Sequence, residues 1–443
     1  MVDAIGLEQA LRKVRRHLLP FLFVLYLVAC LDRVNISFAA PALSTDLGLD
    51  PASYGFAAGI FFAGYILCEV PSNLILHRVG ARQWISRILL SWGVVAVLMA
   101  TVTHASQFDG LRFLLGAAEA GFFPGIVLYL SQWIPKSDRA RALAGFMIAI
   151  PMAGLLGGPL SAALLSLDGF WGMAGWRWLF LMEGLPALLL AFAVWFWLPN
   201  RPRHAPWLTA SEAEALEQAL RAERDHLQHQ GAQVLELGGA IRQQRLWLLI
   251  AMYLGIYYGI TGFGFWIPRF VAQALPAAAS SPALANTLSA IPYGLAVIAM
   301  VLVGRSADHH QQPLRHVVAP LAIGVIALVL AIGSGGVMRL GWISLATAAV
   351  FSCKGPFWAI PPQFLDEQAA AVGFAGISTF GSVGGLLSPN VMGALMLQNH
   401  GEALALASLA VVLLGSVGLA LWLQHHMRTG AEQLGPGLQS FNR

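Results

Sequence analysis

Charged residues are scarce in this chain, and their scarcity excludes most soluble proteins. Asp, Glu, Lys and Arg make up 11% of the 443 residues, whereas a soluble domain carries about 25%. Hydrophobic residues make up 57% of the chain, and the mean hydropathy is +0.68. Such a composition predicts a protein embedded in a lipid bilayer.

Cysteines and enzymatic signatures are also few. Cys30, Cys68 and Cys353 all lie in apolar runs, which indicates packing and disfavours a disulfide framework or a metal site. The sequence contains neither HExxH nor GxSxG, and it has no nucleotide-binding P-loop. We therefore expect no enzyme, no catalytic residue, no metal and no cofactor. The net charge is +4, but basic residues are not interleaved with aromatic ones, so we expect no nucleic-acid partner.

Four charged residues nevertheless interrupt apolar stretches. Asp32 and Arg33 are neighbours in one stretch, and Arg112 and Glu119 lie in another. Each charge at the centre of a membrane helix costs at least about 2.5–3.5 kcal/mol, and such residues usually mark a substrate or ion pathway. A spacing of seven residues is close to two turns and places Arg112 and Glu119 on one helix face. An acid and a base on each of two helices indicate a transporter that binds anions and moves protons.

Twelve stretches meet the length of about 20 mostly apolar residues that a spanning helix needs. They lie near 18–43, 53–76, 82–103, 107–132, 140–166, 175–198, 245–274, 283–304, 316–334, 341–364, 370–397 and 402–425. Basic residues concentrate in the amino-terminal segment and in the loops after even-numbered spans, which predicts that both termini are cytoplasmic. The basic amino-terminal segment resembles a secretory signal, but Asp32 and Arg33 interrupt its apolar stretch, so we expect an uncleaved first span.

The chain divides at one long hydrophilic segment, residues 199–244. Within it, Thr209–Glu212 reads as a capping box that opens an amphipathic helix running to about Gln230. The predicted domains are an amino-terminal six-helix bundle (1–198), a cytoplasmic linker (199–244), a carboxy-terminal six-helix bundle (245–428) and a cytoplasmic tail (429–443).

The two predicted bundles repeat each other. His77–Arg82 follows the second span and Gly304–His309 the eighth, with His77 and Asp308 separated by 231 residues. Gly154–Pro159 in the fifth span corresponds to Gly381–Pro389 in the eleventh, with the two prolines 230 residues apart. Equal shifts from two independent pairs predict a six-plus-six architecture. Small residues let helices approach closely, so we assign a conformational role to Gly157, Gly158 and Pro159.

This arrangement resembles the major facilitator superfamily over nearly the whole chain. The superfamily signature Gly-x-x-x-Asp-Arg-x-Gly-Arg is partly kept in the loops that follow the second and eighth spans. The first copy retains Arg78, Gly80 and Arg82, and the second retains Gly304 and Asp308. The resemblance implies an all-α membrane protein with twelve transmembrane helices in two pseudo-symmetric six-helix bundles. It also implies that these five residues act in gating.

Several segments are similar to the anion:cation symporter family within that superfamily. They are Leu31–Asn35, Arg112–Gly125, Trp176–Phe180 with Glu183 and Gly184, and Gly355–Pro361. The similarity implies proton-coupled uptake of a small organic anion across a bacterial inner membrane, through a central cavity and with no cofactor besides protons. A sugar acid, a tartrate-like hydroxy acid and an aromatic carboxylate are the substrate classes that we expect.

The same similarity implies roles for individual residues. Arg33 and Arg112 match the family's substrate-carboxylate and network arginines, Asp32 and Glu119 match its titrating acids, and Tyr65 matches a substrate-contacting tyrosine. The chain departs from the family at Cys30, where a tyrosine is frequent, and around Ser378 and Ser382, where asparagines are frequent. We include Ser378 among the candidate substrate contacts. The alternative for Asp32 and Arg33, and for Arg112 and Glu119, is a structural role in helix packing.

Lys354 is the least ordinary residue, because it lies in the middle of the tenth span before Gly355 and Pro356. An ammonium there needs water or a partner, so we predict a second cationic contact for a substrate with two anionic groups. Its alternatives are snorkelling to an interface or pairing with an acid. Tyr257, among the aromatic residues of the seventh span, is predicted to line the cavity.

The function prediction has two open alternatives: an exchanger of organic anions, and a membrane sensor that does not transport. The sensor is disfavoured because the linker is too short for a signalling domain. We expect a monomer whose other partners are the substrate and the bilayer.

Overall fold

The computed structural model describes residues 4–229, 244–361 and 367–433, and all the regular structure in these ranges is helical. Eighteen α-helices follow one another in the described residues. The first half contains α1 (Ala4–Leu47), α2 (Pro51–Val79), α3 (Ala81–Met99), α4 (Ala105–Glu119), α5 (Phe122–Ser131), α6 (Lys136–Met147), α7 (Ala149–Leu165) and α8 (Gly175–Trp197). The linker contributes α9 (Ala210–His229).

The second half begins with the long α10 (Gln244–Ala274). It continues with α11 (Pro276–Ala279), α12 (Pro282–Leu288), α13 (Ala290–His310), α14 (Arg315–Ile332), α15 (Gly336–Ser352), α16 (Lys354–Trp358), α17 (Glu367–Met396) and α18 (Gly401–Gln433). Short 3-10 turns lie at Phe170–Gly172 and Pro202–His204. The boundaries of the four predicted domains stay predictions, and most of the predicted tail lies outside the described residues.

Each of the twelve predicted spans is formed by one helix or by two successive helices in the described residues. Ten helical stretches in the described residues are long and apolar enough to cross a membrane. The third and eleventh predicted spans are α3, which carries Arg82 and Arg87 in its first turns, and α17. Both pack inside the molecule, α3 against α8, and α17 against α2 and α10. The fold is therefore a twelve-helix membrane bundle with two halves of six.

Four of the predicted spans contain a break, and one of them is the eighth, which is divided into α12 and α13 at Ser289. The fourth is divided into α4 and α5 at Ala120 and Gly121, where Gly121 has a φ of 85°. The fifth is divided into α6 and α7 at Ile148. The tenth is divided into α15 and α16 at Cys353, directly before Lys354. Non-helical backbone at membrane depth is tolerated where protein or a cavity surrounds it, and the breaks at Gly121, Ile148 and Cys353 adjoin the candidate site.

The linker helix α9 is docked on the first half. Lys13 Nζ donates to Glu212 Oε2 at 2.8 Å, which ties α1 to α9. The predicted capping box is formed, since the Thr209 amide donates to Glu212 Oε2 at 2.8 Å and the Glu212 amide donates to Thr209 Oγ1 at 3.3 Å. Arg15 also pairs with Asp138 at 2.6 Å. These contacts define one end of the bundle, here called the terminal end; the other is called the opposite end.

Near the opposite end the two halves are in close contact. A Cβ atom on Gly55 or Gly59 of α2 would overlap atoms of Pro389 or Asn390 in α17. A Cβ on Gly158 of α7 would overlap the backbone oxygen of Asn286 in α12. Glycines therefore set the distance between the halves here, as close helix approach requires.

The other residues assigned to gating lie away from this contact. Gly157 packs against Phe38 within the first half, and Pro159 lies inside α7. Gly80, with a φ of 97°, separates α2 from α3, and Arg82 donates to the Trp195 carbonyl. The remaining three residues are at the terminal end, Arg78 and Asp308 exposed and Gly304 inside α13. Their role in gating stays a prediction.

Candidate functional site

A cavity lies between the two halves at the centre of the bundle. Its walls enclose about 970 Å³ of empty space, counting the part that is open to solvent. Five of the six predicted substrate contacts line it, namely Arg33, Tyr65, Tyr257, Lys354 and Ser378. The first two come from α1 and α2, and the other three come from α10, α16 and α17. The structure thus gathers on one surface residues that lie more than 300 positions apart.

Arg33 is tied to Glu119 by the strongest ion pair of the cavity region. Its Nη2 atom lies 2.5 Å from Glu119 Oε2, and the Glu119 side chain is completely buried. The Arg33 side chain keeps 21% of its surface exposed and forms part of the cavity wall. Glu119 Oε1 has no hydrogen-bond partner in the described residues. The Arg33 side chain therefore pairs with a buried acid and also forms part of the cavity wall.

Asp32 faces away from the cavity, although it precedes Arg33. Successive helical residues are rotated by about 100°, and Asp32 accepts a hydrogen bond from Trp92 Nε1 of α3 at 2.7 Å. Asn35 Nδ2 adds a longer contact of 3.4 Å. Among the described residues no salt bridge joins Asp32 to Arg33. Asp32 instead couples α1 to α3.

Arg112 lies behind the residues of the cavity wall, and its contact with substrate stays a prediction. Its side chain is completely buried, and its Nε atom donates to the Ala57 carbonyl at 3.2 Å. The guanidinium lies 5.0 Å from the centre of the Phe61 ring. A Cβ on Gly116 would overlap the Phe61 carbonyl oxygen, so α4 and α2 touch through their backbones. This tight contact encloses Arg112 between the two helices.

Lys354 reaches the cavity from the helix break at Cys353. The residue is 6% exposed, and its ammonium lies 5.4 Å from the centre of the Tyr257 ring, within the range of a cation–π contact. No carboxylate lies within 4 Å of it in the part of the chain that the structure describes. Pairing with an acid, one of the alternatives, is thus not observed. Lys354 and Arg33 are the two cations of the cavity wall.

Aromatic rings form much of the remaining surface. They belong to Tyr26, Phe62, Tyr65, Phe122, Phe123, Tyr253, Tyr257, Phe265, Tyr293, Phe351 and Trp358. Ser378, Ser382 and Thr261 contribute hydroxyl groups. The cavity can therefore bind an anion through its two cations and a flat or apolar body through its rings.

Two further acids were not among the predicted site residues. Glu69 of α2 joins the two halves. Its carboxylate accepts hydrogen bonds from Thr379 at 2.7 Å and from Ser378 at 3.4 Å, both on α17. Glu183 of α8 is buried, and neither of its oxygens has a partner in the described residues. An acid in an apolar run was the only sequence signal for either residue.

Comparisons with known proteins agree with this architecture. The model of the Major Facilitator Superfamily matches residues 22–389. A putative tartrate transporter of Agrobacterium vitis is 41% identical over 386 residues, covering 87% of this chain and 84% of that protein. A quinolone resistance transporter of Acinetobacter baumannii is 37% identical over 411 residues, covering 92% of this chain and 93% of that protein.

A solved structure has the same fold. The crystal structure of a bacterial homologue of the human lysosomal transporter Spinster superposes with a TM-score of 0.73 at 16% sequence identity. The match covers 93% of this chain and 97% of that one. The family model matches most of the chain, two relatives are similar over most of their length, and the fold has two six-helix halves. This multi-pass membrane protein therefore belongs to the major facilitator superfamily.

Proposed function

We propose that the protein is a secondary active transporter that couples the uptake of a small organic anion to protons by alternating access. The observation that carries this proposal is the Arg33–Glu119 pair, in which a cavity arginine lies 2.5 Å from a completely buried acid. Protons are the only coupling ion that the proposal needs, and it needs no cofactor. The protein would act as a monomer in a bacterial inner membrane with both termini in the cytoplasm.

The coupling step follows from competition for Arg33. A carboxylate that enters the cavity is attracted to the same guanidinium that now compensates Glu119. A buried carboxylate that loses its cation is strongly destabilised, so Glu119 takes up a proton when substrate replaces it. Asp32 and Arg112 act electrostatically on this group, and two titrating acids in one network share the proton. Binding of the anion and uptake of a proton then favour each other.

The proposed substrate class follows from the cavity wall. Arg33 and Lys354 on two halves of the molecule suit an anion with two carboxylates, and the tartrate transporter of A. vitis is named for such a compound. The aromatic surface suits a carboxylate that carries a ring, and the A. baumannii relative is named for quinolone resistance. Hydroxy dicarboxylates and aromatic carboxylates are therefore the first compounds to test.

Movement of the two halves would expose the cavity to each side in turn. The hydrogen bonds of Glu69 to Ser378 and Thr379 link the halves toward the terminal end, while glycine contacts link them toward the opposite end. Each link must open in one half of the cycle. An organic-anion exchanger is the alternative within this scheme, and a non-transporting sensor is disfavoured by a cavity with two cations.

Uptake by proteoliposomes tests the proposal. Labelled tartrate, a sugar acid and an aromatic carboxylate are offered with an imposed proton gradient and, in a second arm, with the gradient collapsed. We expect accumulation of at least one anion only in the first arm, and loss of this accumulation in Arg33→Gln. Exchange that is equal in both arms indicates the exchanger, and no uptake of any anion contradicts the proposal.

A further inference from the structure

A second cavity lies between the halves near the opposite end of the bundle. It is bounded by α1 and α2 from the first half and by α10, α11 and α12 from the second, and it encloses about 840 Å³ of empty space, open solvent included. This second cavity is here called the outer cavity, and the cavity that Arg33 and Lys354 line is called the central cavity. Phe265 lines both. The two cavities are therefore neighbours that share Phe265 as part of their walls.

One cation lines the outer cavity, and it has no carboxylate partner. Arg269 of α10 is exposed, and its guanidinium lies 5.7 Å from the centre of the Trp266 ring. Glu402 acts on Arg269 electrostatically, but that acid is bonded to Arg339 at 3.0 Å. Within the described residues no carboxylate approaches Arg269 to 4 Å.

Trp266 supplies a buried donor to the same cavity. The residue is 1% exposed and lines the outer cavity, and its Nε1 atom has no acceptor among the described residues. Leaving such a donor unpaired costs about 1–3 kcal/mol. The Nε1 atom is covered by neighbouring groups, so a ligand oxygen would reach the donor only after a rotation of the indole ring.

The other polar groups of the cavity are mostly engaged. Tyr54 donates its hydroxyl to the Phe265 carbonyl at 3.0 Å, and Asn286 donates its amide to the Phe38 carbonyl at 3.0 Å. Ser37 donates to the Val34 carbonyl at 2.7 Å. The Arg269 guanidinium, the Trp266 indole N–H and the Ser44 hydroxyl therefore remain, and all three can donate to an anionic oxygen.

We propose that the outer cavity is a second, weaker binding site for the transported organic anion, in which Arg269 and Trp266 hold one carboxylate before it reaches Arg33 and Lys354. This inference rests on the proposed function. The site raises the local concentration of the anion at the entrance, as a cationic cleft does for an oppositely charged substrate. It therefore acts on substrate capture and leaves the later steps unchanged.

Uptake kinetics in intact cells test the outer site, with labelled tartrate as the first probe. Arg269→Gln should raise KM about three- to ten-fold, the range of a partly exposed charge-assisted contact, and change kcat less than two-fold. Arg269→Lys should recover most of the KM effect, and Trp266→Phe should raise KM by a smaller factor. Higher ionic strength should reduce the difference between Arg269→Gln and wild type.

Arg177→Gln is the matched control, because it removes one positive charge from the same end of the molecule. Arg177 donates to the Ala100 carbonyl at 2.5 Å and does not line the outer cavity. It should leave KM unchanged. A purely structural role of Arg269 predicts a loss of kcat and of thermal stability, without a specific change in KM.

Binding to the purified full-length protein distinguishes this site from the central one. Arg33→Ala should retain weak tartrate binding, and addition of Arg269→Gln should remove it. An unchanged KM in Arg269→Gln, in a protein that takes up tartrate, overturns the outer site and leaves the proposed function intact. The outer site is also overturned if chloride displaces the residual binding as effectively as unlabelled tartrate does. Absence of tartrate and other organic-anion uptake by wild type contradicts the proposed function itself.

Discussion

Removal of the Lys354 ammonium is expected to separate two classes of substrate. Lys354→Ala should weaken the binding of dicarboxylates far more than that of monocarboxylates of similar size, since only a dicarboxylate has a second anion for Lys354 while Arg33 holds the first. A charge-assisted hydrogen bond contributes about 1.5–3 kcal/mol, which corresponds to roughly 10- to 150-fold in affinity. The buried position of Lys354, with 6% exposure, places the effect within this range.

The structure adds an expectation about the stability of the same variant. Among the described residues Lys354 has no carboxylate within 4 Å, so its removal leaves no buried acid without a partner. Removal of an uncompensated buried charge is neutral or stabilising. The thermal unfolding midpoint of Lys354→Ala should thus be equal to or above that of wild type. If the Lys354 ammonium were paired with an acid, its removal should lower the unfolding midpoint.

Equilibrium binding at fixed pH is the assay. Tartrate is compared with a hydroxylated monocarboxylate of similar size, in wild type, Lys354→Ala and Lys354→Arg. Lys354→Arg keeps the charge and should recover part of the tartrate affinity. Equal losses for both anions in Lys354→Ala would remove Lys354 from the substrate site and refute the reasoning, whatever the change in stability.

Three further substitutions test the surrounding helices. Glu119→Gln should keep anion exchange and lose accumulation driven by a proton gradient, because an amide cannot change charge; unchanged accumulation contradicts the coupling scheme. Arg112→Ala should abolish thermal stabilisation by the anion, because it removes a buried positive charge that lies at the same Phe61 ring as Arg33; full stabilisation would make Arg112 purely structural. Gly116→Ala should lower the free energy of unfolding by about 1–3 kcal/mol through overlap with Phe61. The control is Gly110→Ala on the same helix, where an added Cβ atom would have no neighbouring group within 4 Å. This variant should be neutral or should raise the free energy of unfolding by up to about 1 kcal/mol. Equilibrium unfolding measures both variants.

The sequence predicted the helices and the buried charges for one physical reason. Apolar runs of spanning length and the cost of a charge in lipid are both local properties, so Arg33, Glu119 and Lys354 were recognisable without a structure. The repeat across residues 199–244 predicted two halves in the same way. The helix break beside Lys354 agrees with the glycine and proline that follow it.

The pairings between helices were not predictable, because they depend on how each helix is rotated. The spacing of Arg112 and Glu119 placed them on one face, but it did not show that this face packs against Phe61 of α2. The contact of Glu69 with Thr379 joins residues 310 positions apart. No pattern near either residue specifies the other, so only the packed structure reveals this link between the halves.

The central claim is that Glu119 takes up a proton when an organic anion binds at Arg33. Its most direct test is the pH of a lightly buffered medium around proteoliposomes, recorded when an anion that wild type transports is added. The account predicts that the medium becomes more alkaline as labelled anion enters, and that Glu119→Gln shows no such change. Entry of labelled anion into wild-type proteoliposomes without any alkalinisation would contradict the account.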